Sequence, residues 1–172
     1  MRKAGCVRIQ IGVESGSQKI LDLYKKGYDE HKIKDQVKII NEVGIETMGF
    51  FIIGAPNENE VDFKKSLELA KEINFDYVVV SQLIPYPGTN LFNQFKCDIN
   101  FSLFPYNCEF KNKNNNFIEL EKKFYKEFYF RPSYIAKKTK LLFFHPNHLF
   151  DGLKSLINFL NTKKSDLRTD YY

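Results

Sequence analysis

Cysteine is scarce in this sequence. Its 172 residues hold three, Cys6, Cys97 and Cys108, and no two are close enough to form a CxxC or CxxxCxxC group. They are too few and too scattered for a disulfide framework or a local cysteine metal site. No apolar run approaches the roughly 18–20 residues of a membrane-spanning helix, so no membrane span is expected. The basic start, Met1-Arg2-Lys3, is followed by no apolar stretch, which reads as no signal peptide and a cytoplasmic setting. Charge of one sign is not concentrated either. Twenty-six Lys and Arg stand against 21 Asp and Glu, a net +5, and the lysines are spread over the whole chain. A nucleic-acid surface would gather them on one face among aromatics, so no nucleic-acid partner is expected. What is present, 43% hydrophobic and 27% charged residues, suits a globular chain. Its length allows one domain core or a piece of a larger one.

Val7 to Val13 alternates and is β-branched, and reads as a strand. Glu14-Ser15-Gly16-Ser17 breaks it. Ser17 is placed to cap a helix from Gln18 to Lys26, with Gly27 as its stop. A second helix is expected from about Asp29 to Val43. There Ile33, Val37 and Ile40 fall on one stripe, and Gly44 ends the helix. Thr47 to Ile53 is nearly continuously apolar, the pattern of a strand covered on both faces. Asn59 suits an N-cap, with Glu60 and Asp62 in the first turn of a helix reaching Ile73 and burying Phe63, Leu67 and Ala70. Tyr77 to Ile84 is a third strand, stopped by Pro85 and Pro87, which donate no ladder hydrogen bond.

This order, strand–helix–strand–helix–strand, predicts right-handed crossovers and three adjacent parallel strands with helices on one face. The fold class is therefore α/β: a partial (β/α) barrel of three parallel strands with helices, plus a C-terminal helical extension. The domain boundary falls near residue 95, giving 1–95 and 96–172. In the extension, Asn112 to Asn116 reads as a loop. Phe117 to Phe130 reads as a helix closed by Pro132, with Leu120, Phe124 and Phe128 on one face. A last helix is expected over Leu149 to Leu160. Arg2 to Gly5 resembles the end of a helix with glycine just past it. With two open strand edges, this leads us to expect a truncated domain or a missing partner.

Three segments together resemble the radical S-adenosylmethionine (SAM) superfamily. Ala4-Gly5-Cys6 through Ser17, with its Glu-Ser-Gly turn, resembles the fourth barrel strand. Gly49 to Glu58 (GFFIIGAPNE) resembles the fifth, usually GFFIxGxPGET, with Asn57 and Asn59 replacing glycine and threonine. Ser81 to Thr89 (SQLIPYPGT) resembles the sixth. Phe128 to Ile135 (FYFRPSYI) is similar to the FYLRPxYI element of cobalamin-associated members, among them the anaerobic Mg-protoporphyrin ester cyclase group.

The resemblance implies SAM as cofactor and, for the full-length family, a [4Fe–4S] cluster. The CxxxCxxC ligands of that cluster are not in this chain, and no residue here is assigned to metal. Cobalamin is possible in the full-length family. The cofactor-binding residues expected from the resemblance are Glu14, Ser15 and Ser17 at one strand end, Ile53 and Gly54 at the next, and Leu83 and Pro85 at the third. Glu14 and Ser15 would meet the ribose or methionyl group, and Gly54 would permit close backbone approach. Ile53, Leu83 and Pro85 would flank adenine. Each also has a plainer reading, Glu14 and Ser15 as helix-start residues and the others as turn or core. Cys6 reads as a small buried hydrophobe, His31 as a surface helix residue, and His145 and His148 as loop and helix-cap residues.

The implied function is a C-terminal fragment of a radical SAM enzyme that contributes SAM-binding strand ends. Its expected partners are the missing N-terminal half of the barrel and a small-molecule substrate; catalytic residues are not assigned. The alternative is a non-catalytic remnant or interaction module that folds with a partner. A third reading, phosphate binding at the Glu14–Ser17 turn, is disfavoured by the acidic residue at its front.

Overall fold

Alternating burial along three strands sets the architecture. The computed structural model describes residues 1–28, 30–95 and 117–144. The readings for Cys97, Cys108, Asn112 to Asn116, His145, His148 and the helix over 149–160 lie outside them. Strands β1 (Arg8–Glu14), β2 (Glu46–Ile53) and β3 (Tyr77–Gln82) form one parallel sheet in the order β1-β2-β3. The parallel α/β fold expected from the sequence is the one observed.

Thr47, Phe51 and Ile53 of β2 are buried with Val13 of β1 and Val78 and Val80 of β3. Helices α2 (Glu30–Glu42) and α3 (Glu60–Ile73) cover this face with Ile33, Val37, Phe63, Leu67 and Ala70. Gly49 belongs to the same face. A Cβ there would lie 2.8 Å from the Phe75 ring, so the ring's seat requires glycine. Met48, Phe50 and Ile52 alternate with these residues and are half-buried. The unbroken apolar run of β2 suggested cover on both faces. Among the described residues the helices cover one face and leave the other open.

Helix α3 starts as its sequence dictates. The Asn59 side chain accepts from the Val61 and Asp62 amides, while Asp62 accepts from the Asn59 amide, a complete capping box. Helix α1 (Gln18–Leu23) stops a turn earlier than Gly27 suggested. Lys25 takes the left-handed conformation at φ 55, and the Lys26 amide bonds back to the Leu21 carbonyl. Past that stop Lys26 pairs with Glu14 at the end of β1, a contact between the two sides of the β1–α1 connection that helix-stop rules do not see.

Two helices were not expected. Helix α4 (Asn90–Phe95) begins where the Thr89 hydroxyl accepts from the Phe92 amide. Beyond α5 (Phe117–Tyr129), Pro132 does not merely close a helix. It occupies the first position of α6 (Pro132–Phe144), where its fixed φ and missing N–H are tolerated.

The FYFRPSYI stretch fastens these helices to the sheet. The Tyr129 hydroxyl accepts from the Val78 amide at 3.1 Å and donates to the Val78 carbonyl at 3.2 Å, and the Val80 amide donates to the Tyr125 hydroxyl at 3.0 Å. Arg131 donates to Asn74 Oδ1 at the end of α3, and the Tyr134 hydroxyl donates to the Asp76 carbonyl. Phe124, Phe128 and Tyr134 enter the same core as the strands, although they lie beyond residue 95.

Candidate functional site at the C-terminal edge of the sheet

The C-terminal ends of parallel strands are where α/β sheets place ligand sites, and here the backbone departs from regularity at each of the first two. The β1–β2 register shifts between Gly12 and Glu14. Glu14 sits at φ 62, at the centre of a tight turn closed by the Ser15 amide on the Val13 carbonyl at 2.8 Å. Positive φ in a non-glycine residue is a strained arrangement that surrounding structure must hold. Lys26 helps to hold it, with Nζ donating to Glu14 Oε1 at 2.9 Å. The carboxylate folds back over Gly12, where a Cβ would lie 2.8 Å from Glu14 Oε1. Gly12 shares the open face with Phe50 and Val79, its register partners across the sheet. Glu14 therefore presents its charge above the open face rather than to the helices.

Ser15 and Ser17 are fully buried behind it. The Ser15 hydroxyl is 3.1 Å from Ser66 Oγ and accepts from the Ser17 amide. Gly16 donates to Ser66 Oγ, and any Cβ on it would strike the Lys65 carbonyl at 2.5 Å. The Ser17 residue occupies the α1 N-cap position, but its hydroxyl does not cap. It donates to Asp62 Oδ1 at 2.7 Å. Burial raises the Asp62 pKa, but hydrogen bonds from Lys19, Ser17 and the Asn59 amide outweigh that and leave it lowered. Lys19 also donates to the Asn57 carbonyl at 2.7 Å, steadying a turn in which Asn57 adopts φ 62.

At the end of β2, Gly54 turns at φ 87, a conformation that favours glycine. Glu58 closes this turn by accepting from the Gly54 and Ala55 amides. Burial raises the Glu58 pKa, and these two amides partly offset it. Its other oxygen, Oε1, is buried without a partner, as is the Tyr24 hydroxyl. The Tyr24 pKa is raised by burial first, then by the fields of Glu58 and Glu14. Tyr28 donates to the Gly12 carbonyl at 2.7 Å, and burial with the Glu14 charge pushes its pKa up to about 12.

A small apolar cluster completes the rim: Ile20, Ala55 and Leu83, with Leu23, Tyr24, Ile52 and Leu91 packed against it. Pro85 is buried beside Leu83 in sequence. Ile53 faces the helix layer and is 1% exposed, whereas its neighbour Ile52 faces the open side. The fold thus brings Glu14, Gly54, Leu83 and Pro85 to one sheet end, with Ser15 and Ser17 packed beneath the first turn. Sequence reasoning missed Lys26, Ser66 and Tyr24. Nothing in the local pattern links residues so far apart, although the capping-box spacing of Asn59 and Asp62 does mark the α3 start.

Cys6 lies at the opposite, N-terminal end of β1, with Sγ 3.7 Å from the Arg8 carbonyl. The seven-residue strand β1 runs from near Cys6 to Glu14, about 20 Å at the usual rise. Among the described residues no group of three potential metal ligands is found, so these residues do not fit an iron–sulfur cluster. Among them, too, no helix is long and apolar enough to cross a membrane.

Residues 1–88 match the Radical SAM superfamily, half of the chain. An uncharacterized methyltransferase of Pyrococcus horikoshii is 35% identical over 91 residues, 53% of this chain and 20% of the relative. The anaerobic magnesium-protoporphyrin IX monomethyl ester cyclase of Cereibacter sphaeroides is 30% identical over 95 residues, 55% of this chain and 16% of the cyclase. Among solved structures, coproporphyrinogen III oxidase from Escherichia coli, a radical SAM enzyme, aligns with a TM-score of 0.47 at 25% identity, over 50% of this chain and 20% of that one. The chain spans about a fifth of the length of these relatives. The match spans all three strands and the turns that follow them: the chain belongs to the radical SAM superfamily, whose members use SAM and a [4Fe–4S] cluster.

Proposed function

We propose that this chain supplies SAM-binding strand ends to a radical SAM enzyme, and that an N-terminal portion of the domain, on one polypeptide with it or on another, supplies the cluster. The observation that carries this reading is the Glu14 turn: a strained residue whose carboxylate is held by Lys26 over the open face, at the edge where ligands bind. A carboxylate there accepts from the hydroxyls of a ribose or the ammonium of a methionyl group. Gly54 lets backbone approach the ligand, and Ile52, Leu83 and Pro85 offer an apolar flank for adenine. Ser15, Ser17 and Ile53 hold that rim in place from below. When bound, the cluster supplies the electron that cleaves SAM reductively; this chain binds, orients and excludes water.

The substrate is proposed to be a small molecule and the setting the cytoplasm, in keeping with the absence of a membrane-spanning helix among the described residues. Cobalamin use is supported by the resemblance of residues 128–135. Phe128 of this stretch and Phe124 one turn before it are core residues, fully buried, and offer it no surface.

A SAM titration by calorimetry on the completed domain tests the reading. Replacing Glu14 by alanine removes a hydrogen bond to a charged partner, about 1.5–3 kcal/mol, and should weaken SAM binding roughly ten- to a hundred-fold. Unchanged affinity would return Glu14 to a structural role and favour the non-catalytic interaction module.

A further inference from the structure

Two buried polar atoms at the ligand edge have no hydrogen-bond partner among the described residues: the Tyr24 hydroxyl and Glu58 Oε1. Buried polar groups are paired as a rule, so two orphans at one sheet end need a cause. They border the same turn. Glu58 gives its other oxygen to the Gly54 and Ala55 amides. Tyr24 closes helix α1, and its ring packs against the cluster of Ile20, Ala55 and Leu83, as does Ile52. The Glu58 carboxylate is near enough for its field to act on the Tyr24 phenol ahead of that of Glu14.

The two orphans differ in chemistry. An ionised carboxylate oxygen only accepts, whereas a phenol hydroxyl can donate. Neither is needed by the local fold. The turn is held by the other Glu58 oxygen, and the end of α1 by its own backbone bonds. A ligand that satisfies both carries a donor beside an acceptor on the rim of a flat apolar body. The 6-amino group and N7 of adenine are such a pair. Ile52 and Leu83, in the cluster on which Tyr24 packs, are residues proposed above to flank adenine.

We infer that Tyr24 and Glu58 read the base: the Tyr24 hydroxyl donates to adenine N7, and Glu58 Oε1 accepts from the 6-amino group. Both side chains are half-buried overall, and a turn of each tip toward the open face brings these atoms to the base. The inference rests on the proposed SAM site and adds how that site tells adenine from other purines. A purine with a carbonyl at C6 would set its oxygen against the carboxylate, a repulsive element that sharpens the choice. Tyr24 lies outside the three strand-end segments that carry the family resemblance, so this contact is the chain's own.

The test is calorimetry on the domain completed by an N-terminal radical SAM segment carrying CxxxCxxC. Two probes are titrated: S-adenosylhomocysteine, and S-inosylhomocysteine, in which an oxygen at C6 replaces the amino group. The completed domain should prefer the adenosyl probe by roughly ten- to a hundredfold. Glu58→Gln keeps a carbonyl oxygen for the two turn amides and presents an N–H where Oε1 stood. Its preference should shrink to within about threefold or reverse. Tyr24→Phe should weaken both probes alike, roughly tenfold, because N7 is common to the two bases. Its urea midpoint should stay level or rise, since the hydroxyl it removes has no partner in the fold. If Glu58→Gln fails to fold, Tyr24→Phe decides alone. Equal binding of the two probes by the native domain, a preference unmoved by Glu58→Gln, or affinities unmoved by Tyr24→Phe would overturn the inference and leave the proposed function standing. Binding of neither probe by the native domain would overturn both.

Discussion

Lys26 donates to Glu14 at 2.9 Å across the start of the fold, and the residue it holds is in the left-handed region at φ 62. A charged side chain is thereby fixed where backbone strain alone would favour glycine, which separates what the fold needs at this position from what a ligand would need.

Glu14→Gly should accordingly be more stable than Glu14→Ala by about 1 kcal/mol, read as a higher urea midpoint, because glycine adopts positive φ without strain and both variants lose the Lys26 pair. Both should lose SAM affinity alike. Equal midpoints would show that the turn relaxes when the carboxylate is removed.

Gly49→Ala should destabilise the chain by about 1–3 kcal/mol, since its Cβ meets the fully buried Phe75 ring at 2.8 Å. Adding Phe75→Leu should recover part of the loss in the same denaturant titration. Purely additive losses would contradict the steric account.

Asp62 gives a pH signature. Its folded pKa lies below the ordinary 3.8, burial being outweighed by hydrogen bonds from Lys19, Ser17 and the Asn59 amide. The ionised form is the one the fold favours, so its contribution is full above that ordinary value and lost as pH falls through the depressed one. The stability difference between the native chain and Asp62→Asn should be flat from about pH 7 to 5 and shrink below about pH 4. A difference that grows on acidification would contradict this.

Tyr129→Phe leaves the outward amide and carbonyl of Val78 without their partner, and should destabilise by about 1–3 kcal/mol. Tyr125→Phe takes the acceptor from the Val80 amide and should also destabilise in the same urea series. Exchange at the two amides, read separately, should accelerate at Val78 in the first variant and at Val80 in the second.

Much of the fold was legible because it is local. Periodicity placed all three strands, and Gly44 and Asn59 marked real helix boundaries. Where local signals failed, a long-range contact had won. Lys25 took the helix stop from Gly27, and the residue after it, Lys26, is paired with Glu14. Ser17 gave its cap to Asp62, 45 residues on. The run Thr47 to Ile53 concealed which face the helices cover, because Phe50 and Ile52 are as apolar as Phe51 and Ile53; only the crossovers decide it. At the site, the turn residues Glu14 and Gly54 were visible as strand breaks. The network of Ser15, Ser17, Asp62 and Ser66 was not, since it joins the β1–α1 connection to α3, far along the chain.

The most direct measurement is 5′-deoxyadenosine formation from SAM under anaerobic reducing conditions, on the chain alone and on the chain completed by an N-terminal radical SAM segment carrying CxxxCxxC. The account predicts none from the chain alone, formation on completion, and a marked loss when the completed form carries Glu14→Ala. Formation by the chain alone, or a completed form with a loaded cluster that makes none, would contradict it.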